Sequence, residues 1–172
     1  RSHPGVNVDV HLDGSPNLLH KLKERQLDLI LYTVRNDSDL ARGGEIVYTE
    51  PLAWAGLEGG VAYSRDPLPL ALSVSGCPWR KAARIALDKA EHPYRIAYQS
   101  FHNAGQEAAL LADLAVAPFP ASVIVPPLQR LDARHGLPEI GDYQLILKEG
   151  SRAGKATDAF AQHVIECFRE IS

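Results

Sequence analysis

The sequence predicts an α/β fold built from two similar lobes, and three observations carry that prediction. First, Asp9-Val10-His11-Leu12-Asp13-Gly14-Ser15-Pro16 and Leu70-Ala71-Leu72-Ser73-Val74-Ser75-Gly76-Cys77-Pro78 share one design. Each runs from apolar-alternating residues into Gly-x-Pro and then into a helical pattern. Second, Leu27 to Val34 is a near-continuous apolar run, as in a strand buried in a parallel sheet. Third, strand-like and helix-like stretches alternate along the chain. At each junction glycine allows a tight turn and the next residue takes the N-cap position. Proline at the first helical position has no N–H to lose. A strand feeding a helix start leaves unpaired N–H groups at its carboxyl edge, where a small anion can bind. Two such junctions imply lobes that face one another.

The elements follow in order. Val6, Val8, Val10 and Leu12 alternate with polar residues, which predicts a half-exposed strand. Leu18, Leu19 and Leu22 mark a short amphipathic helix, with Lys21, Lys23, Glu24 and Arg25 on a solvated face. The Leu27–Val34 strand comes next, and Ile46 to Leu57 supplies one or two more. Glu58 to Pro69, with its glycines and prolines, reads as a connector. Leu70 to Val74 is then a strand and Trp79 to Lys89 a helix. Tyr94 to Tyr98 is the next strand. Asn103 is placed to cap a helix running through Leu110, Leu111 and Leu114, with Gln106 completing a capping box. Ala121 to Val125 is read as a strand ended by Pro126-Pro127, and Tyr143 to Leu147 as the last strand. Phe160, Ala161, Val164, Ile165 and Phe168 recur at helical spacing in a final helix.

Composition excludes several classes. A chain of 172 residues can form one sizeable core or two small lobes. It is 45% hydrophobic and 23% charged, as ordinary globular domains are. A net charge of -3 supplies no basic field for phosphate backbones. No apolar run is long enough to span a membrane, and no signal-peptide pattern opens the chain. Cys77 and Cys167 make no disulfide framework, which fits reduced thiols in a cytoplasm. The seven histidines show no metal-ligand spacing, and His11 and His20 read as surface residues. Neither a Gly-x-Ser-x-Gly elbow, a phosphate loop nor a dinucleotide fingerprint occurs. No catalytic residues, metal or cofactor are assigned, and an enzyme is not expected.

A family resemblance rests on motifs spread over the chain. Leu27-Asp28-Leu29-Ile30-Leu31 follows a short helix, and Glu50-Pro51-Leu52 comes after it. Pro69-Leu70-Ala71-Leu72, Gly76-Cys77-Pro78-Trp79-Arg80, Tyr94-Arg95-Ile96-Ala97-Tyr98 and Gly136-Leu137-Pro138 continue in order. In these segments the chain resembles the effector-binding domain of LysR-type transcriptional regulators. The resemblance implies a type 2 periplasmic-binding-protein-like fold, with two Rossmann-like lobes joined by two crossovers near residues 58–69 and 126–131. Residues 1–62 and 129–172 would form one lobe, and residues 63–128 the other. The strand and helix that open such domains would precede Gly5-Val6-Asn7-Val8, so the chain is expected to be part of a longer protein.

The resemblance also implies a small-molecule effector, anionic or polar, held in the cleft between the lobes. Candidate contacts are Gly14, Ser15 and Pro16 at the first junction and Ser75, Gly76, Cys77 and Trp79 at the second. Gln99, Ser100, Phe101 and His102, at the end of a strand, complete the set. Each has a plainer reading: Ser15 as a helix cap, Cys77 as a small packing group, Trp79 as core. By resemblance such domains form homodimers or higher homo-oligomers and reach DNA only through a helix-turn-helix that these residues do not contain. A membrane role is not expected. The competing reading is a solute-binding protein of the same fold.

Overall fold

The computed structural model describes residues 7–36, 39, 43–151 and 153–170. Contacts divide the chain into two compact units: one takes the chain up to Thr49 and from Gln144 onward, the other Glu50–Tyr143.

The first unit contains α1 (Ser15–Lys23), β1 (Leu29–Arg35), the start of β2 (Glu45–Leu57), the end of β7 (Gly141–Glu149) and α4 (Lys155–Arg169). Its strands lie in the order β1-β7-β2. Alternation along β1 explains its continuous apolar run. Ile30, Tyr32 and Val34 pack with Leu18 and Leu22 of α1 and with Ile146. Leu29 and Leu31 lie against the cluster of Val47, Leu147, Ala161 and Ile165, which includes α4. Successive side chains of a strand point to opposite faces, so α1 and α4 cover the two faces of this sheet. A strand covered on both sides needs no polar face.

The second unit contains β3 (Leu68–Leu72), α2 (Pro78–Lys89), β4 (Tyr94–Gln99), α3 (Asn103–Leu111), β5 (Ala117–Pro120) and β6 (Leu128–Leu131). Strands β3 and β4 run parallel, from Leu68 opposite Tyr94 to Leu72 opposite Gln99, with α2 as their crossover. All five residues of β3 are buried. Leu68, Leu70 and Leu72 pack with Ala83 and Leu87 of α2. Ala71 packs with Ala109 and Leu110 of α3. The later part of β2 pairs antiparallel with β5 and β6, and Trp54 within it donates its indole N–H to Pro138 O at 2.7 Å. No described helix is long and apolar enough to cross a membrane.

The structure corrects several sequence expectations. Residues 7–14 form no strand: Val8, Val10 and Leu12 are 50%, 79% and 90% exposed. Alternation marks a strand only where another strand supplies hydrogen bonds and a covered face, and among the described residues none pairs with this segment. Val6 lies outside the described residues. At α1 the N-cap is Gly14, so Ser15 is the first helical residue and Pro16 the second. At α3 the cap is His102, with no side-chain capping bond, so the Asn103–Gln106 capping box does not form. Gln106 instead is buried and donates to Ser100 O at 3.3 Å. That helix stops at Leu111, where the backbone turns through a left-handed Asp113 (φ 50°). Ala121–Val123 is a short 3₁₀ turn rather than a strand. The strands here are β5, just before it, and β6, just after Pro126-Pro127. Both are four residues long, β5 with Pro118 and Pro120 inside it and β6 directly after Pro127, and so too short for a periodicity signal.

Candidate functional site

Eight of the sequence-selected residues gather at one edge of the second unit. In parallel α/β units the carboxyl ends of strands carry binding loops, because each strand there turns into a helix start. The loop after β3 is Ser73–Cys77 and the loop after β4 is Ser100–His102. Their strands end side by side at Leu72 and Gln99, and Ser100 N–H donates to Leu72 O at 3.1 Å. In the first loop Cys77 N–H reaches back to Val74 O at 3.3 Å, closing a β-turn. Gly76 occupies its third position with φ 92°, a conformation that glycine alone adopts without strain. Cys77 is the N-cap of α2 and Pro78 its first residue, as the sequence predicts. Neither α2 nor α3 receives a side-chain cap, so first-turn N–H groups remain for another acceptor.

Arg80 joins the two loops. Its Nη1 donates to Ser73 O at 2.7 Å and to Gln99 Oε1 at 3.0 Å. Those bonds leave other donors of the guanidinium fork for a bidentate partner such as a carboxylate. Ser75 and Gly76 are exposed, Cys77 and Trp79 half-buried. Trp79 packs edge-on against Tyr143, with ring centroids 5.4 Å apart, so its ring belongs to the core cluster of Leu52, Ala82 and Tyr143. The Ser100 hydroxyl donates to His102 O at 2.8 Å and accepts from His102 N–H at 3.2 Å, which folds its loop upon itself. Phe101 is exposed and meets the His102 ring edge-on at 5.3 Å.

Gly14, Ser15 and Pro16 belong to the first unit, where the junction is organised differently. Gly14 has φ −69°, so its position does not require glycine. Its N–H donates to the Asp13 carboxylate at 2.8 Å, which also accepts from Asn17 at 2.9 Å and from Lys21 Nζ at 2.9 Å. Chiefly through the Lys21 hydrogen bond, the Asp13 carboxyl is held down to about 2. A resident carboxylate thus already accepts from the N-cap N–H of α1. The Ser15 hydroxyl is also committed. It donates to Thr33 O at 3.1 Å and accepts from Thr33 N–H at 3.2 Å, stitching α1 to β1.

Sequence reasoning passed over Arg80, Thr33 and Gly105. Arg80 stands within the quoted Gly76–Arg80 stretch, but a cation in a first helical turn looks like solvated surface. Thr33 had a usable signal as the single polar residue inside the apolar run of β1. Gly105 matters through contact alone: a Cβ there would overlap Ser100. Among the described residues no three metal-ligating side chains come together.

The model of the family described as LysR substrate binding domain matches residues 1–169. The HTH-type transcriptional regulator DgdR of Burkholderia cepacia is 31% identical over 163 residues, which cover 94% of this chain and 54% of that protein. The chain therefore spans about half the length of this relative. The apo regulatory domain of HypT from Salmonella typhimurium shares the fold, with a TM-score of 0.77 and 13% identity. That match covers 97% of this chain and 85% of the other. The CcmR regulatory domain of Synechocystis PCC6803, in complex with 2-PG, matches with a TM-score of 0.70 and 14% identity. It covers 98% of this chain and 86% of that one.

Proposed function

Because the chain belongs to the LysR substrate binding domain family, we propose that it senses a small anionic or polar effector and converts binding into a change of lobe closure and subunit arrangement. Its fold is the type 2 periplasmic-binding-protein-like α/β fold of LysR effector-binding domains. Family membership favours this reading over a transport solute binder. That CcmR is in complex with 2-PG supports a small molecule as the ligand class.

The observation that carries the effector chemistry is Arg80. Its guanidinium is held by Ser73 O and Gln99 Oε1 at the carboxyl ends of β3 and β4, whose following helices α2 and α3 have no side-chain caps. A ligand carboxylate there would meet the cationic fork and first-turn N–H groups together, while Gly76 lets the backbone approach closely. Gly14, Ser15 and Pro16 are proposed as the effector contacts of the other lobe, through the Ser15 N–H at the start of α1, the Ser15 hydroxyl being committed to Thr33. In this reading the domain performs no reaction, and binding favours one closure state over another. The whole regulator is proposed to act in the cytoplasm as a homo-oligomer, with DNA contacted by a helix-turn-helix outside these residues.

The test is calorimetry with a panel of small carboxylates, their amides and matched amines. Acids are expected to bind and amines not. Arg80→Gln should weaken binding by roughly 10- to 100-fold, the worth of one hydrogen bond to a charged group. Ser75→Trp should block the site with the fold intact. Equal binding by wild type and Arg80→Gln, or binding of amines alone, would sink the reading.

A further inference from the structure

The chain passes between its compact units twice, at Thr49–Glu50 within β2 and at Tyr143–Gln144 within β7. The second unit's residue at each passage enters one polar cluster. Glu50 is 8% exposed, and its carboxylate accepts three hydrogen bonds from neutral donors. The Tyr143 hydroxyl donates to Oε1 at 2.7 Å, and the Ser122 hydroxyl donates to the same oxygen at 3.0 Å. Ser122 N–H donates to Oε2 at 2.9 Å. A carboxylate withdrawn from water is costly unless donors replace its hydration. Here the donors come from β7 and from the 3₁₀ turn Ala121–Val123, so one side chain ties three segments together. Strands β2 and β7 are hydrogen-bonded neighbours in the sheet. Backbone bonds of a strand pair tolerate twisting, whereas a short bond to a buried carboxylate fixes a direction.

We propose that Glu50, Ser122 and Tyr143 form a clasp on the two passing strands that sets how freely the units move against each other. For β2 and β7 to flex at this point, the Tyr143–Glu50 bond must break inside a site with little water to replace it. The clasp therefore holds the connecting strands to one backbone path and raises the cost of bending them. Neither Glu50 nor Tyr143 need touch an effector for this role. The clasp acts on the strands whether or not an effector is bound.

Tyr143→Phe in the 172-residue chain removes the hydroxyl and keeps the ring on Trp79. Amide exchange in residues 48–52 and 141–145 should then speed by about 10- to 100-fold, as expected for local opening after loss of a bond to a charged group. Spin labels at Lys23 and Lys89, one in each unit, should give a broader distance distribution than in the parent chain. An unchanged distance distribution overturns the clasp, whatever the exchange rates and even if the melting temperature falls. Ser122→Ala, which keeps the Ser122 N–H bond, is read by the same two measurements and should give a smaller change in the same direction. If Tyr143→Phe fails to fold, Ser122→Ala decides alone.

Discussion

Gly105 stands where any side chain lacks room. A Cβ there would overlap the Ser100 hydroxyl and approach Ser100 Cβ to 2.8 Å. That hydroxyl is already committed to both His102 O and His102 N–H, so Ser100 cannot turn aside without losing two bonds. Gly105→Ala should cost about 1–3 kcal/mol by overpacking. It should also shift the amide resonances of residues 100–102, and adding Ser100→Gly should restore most of the stability in urea denaturation. A second residue-scale outcome concerns Asp13, whose carboxyl lies at about 2 instead of its ordinary 3.8. A lowered carboxyl pKa gives stability that is present above the ordinary value and lost as pH falls toward the lowered one. Lys21→Met removes the main cause and should flatten the acid side of a stability profile measured between about pH 2 and pH 5.

At the scale of elements, β3 is the strand around which the second unit packs. Leu87 of α2 is fully buried against Leu68, Leu70 and Leu72. Leu87→Ala should cost about 2–5 kcal/mol, from lost burial plus a residual cavity, read as a lower urea midpoint. Helix α4 meets β7 differently, through two acids. Burial, then the hydrogen bond with Asp158 and the nearby charges of Asp158 and Glu45, raises the Glu149 carboxyl above its ordinary value. The fold therefore disfavours the ionised form. The stability this group contributes is present below its unfolded pKa and lost as pH rises through the raised one. Glu149→Gln should stabilise the chain near about pH 7.5 and do little near about pH 4, which urea midpoints at both values will read.

For the whole molecule, charge decides the first question of partners. A chain of net charge -3 should not hold DNA by counterion release. The 172 residues alone are expected to give no sequence-selective shift in a mobility assay. A salt-dependent, sequence-selective complex would move the DNA-reading role into this domain. Much of this level was legible in advance, because the family motifs from Leu27-Asp28-Leu29 to Gly136-Leu137-Pro138 lie in order along the chain. The candidate site was legible only in part. The Gly76 turn and the Cys77 cap are local, and a local sequence specifies them. Arg80 bridging Ser73 to Gln99 needs two loops brought side by side by parallel pairing, which no local pattern encodes.

What the sequence determined by itself is the α/β class and the positions of its long elements. Apolar spacing along α2, α4 and β1 follows from burial, and burial has the period of the local backbone. Tertiary structure alone decided the rest. Val8, Val10 and Leu12 alternate like a strand yet stand exposed, since a strand exists only through a partner's hydrogen bonds. Ser15 turned from a helix cap into a tie on Thr33, because a hydroxyl takes the best donors and acceptors within reach. Glu50, an ordinary acid in sequence, became buried only because Ser122 and Tyr143, far along the chain, arrive with donors for it. Long-range contacts assign such polar groups their partners, and a linear pattern holds no record of them.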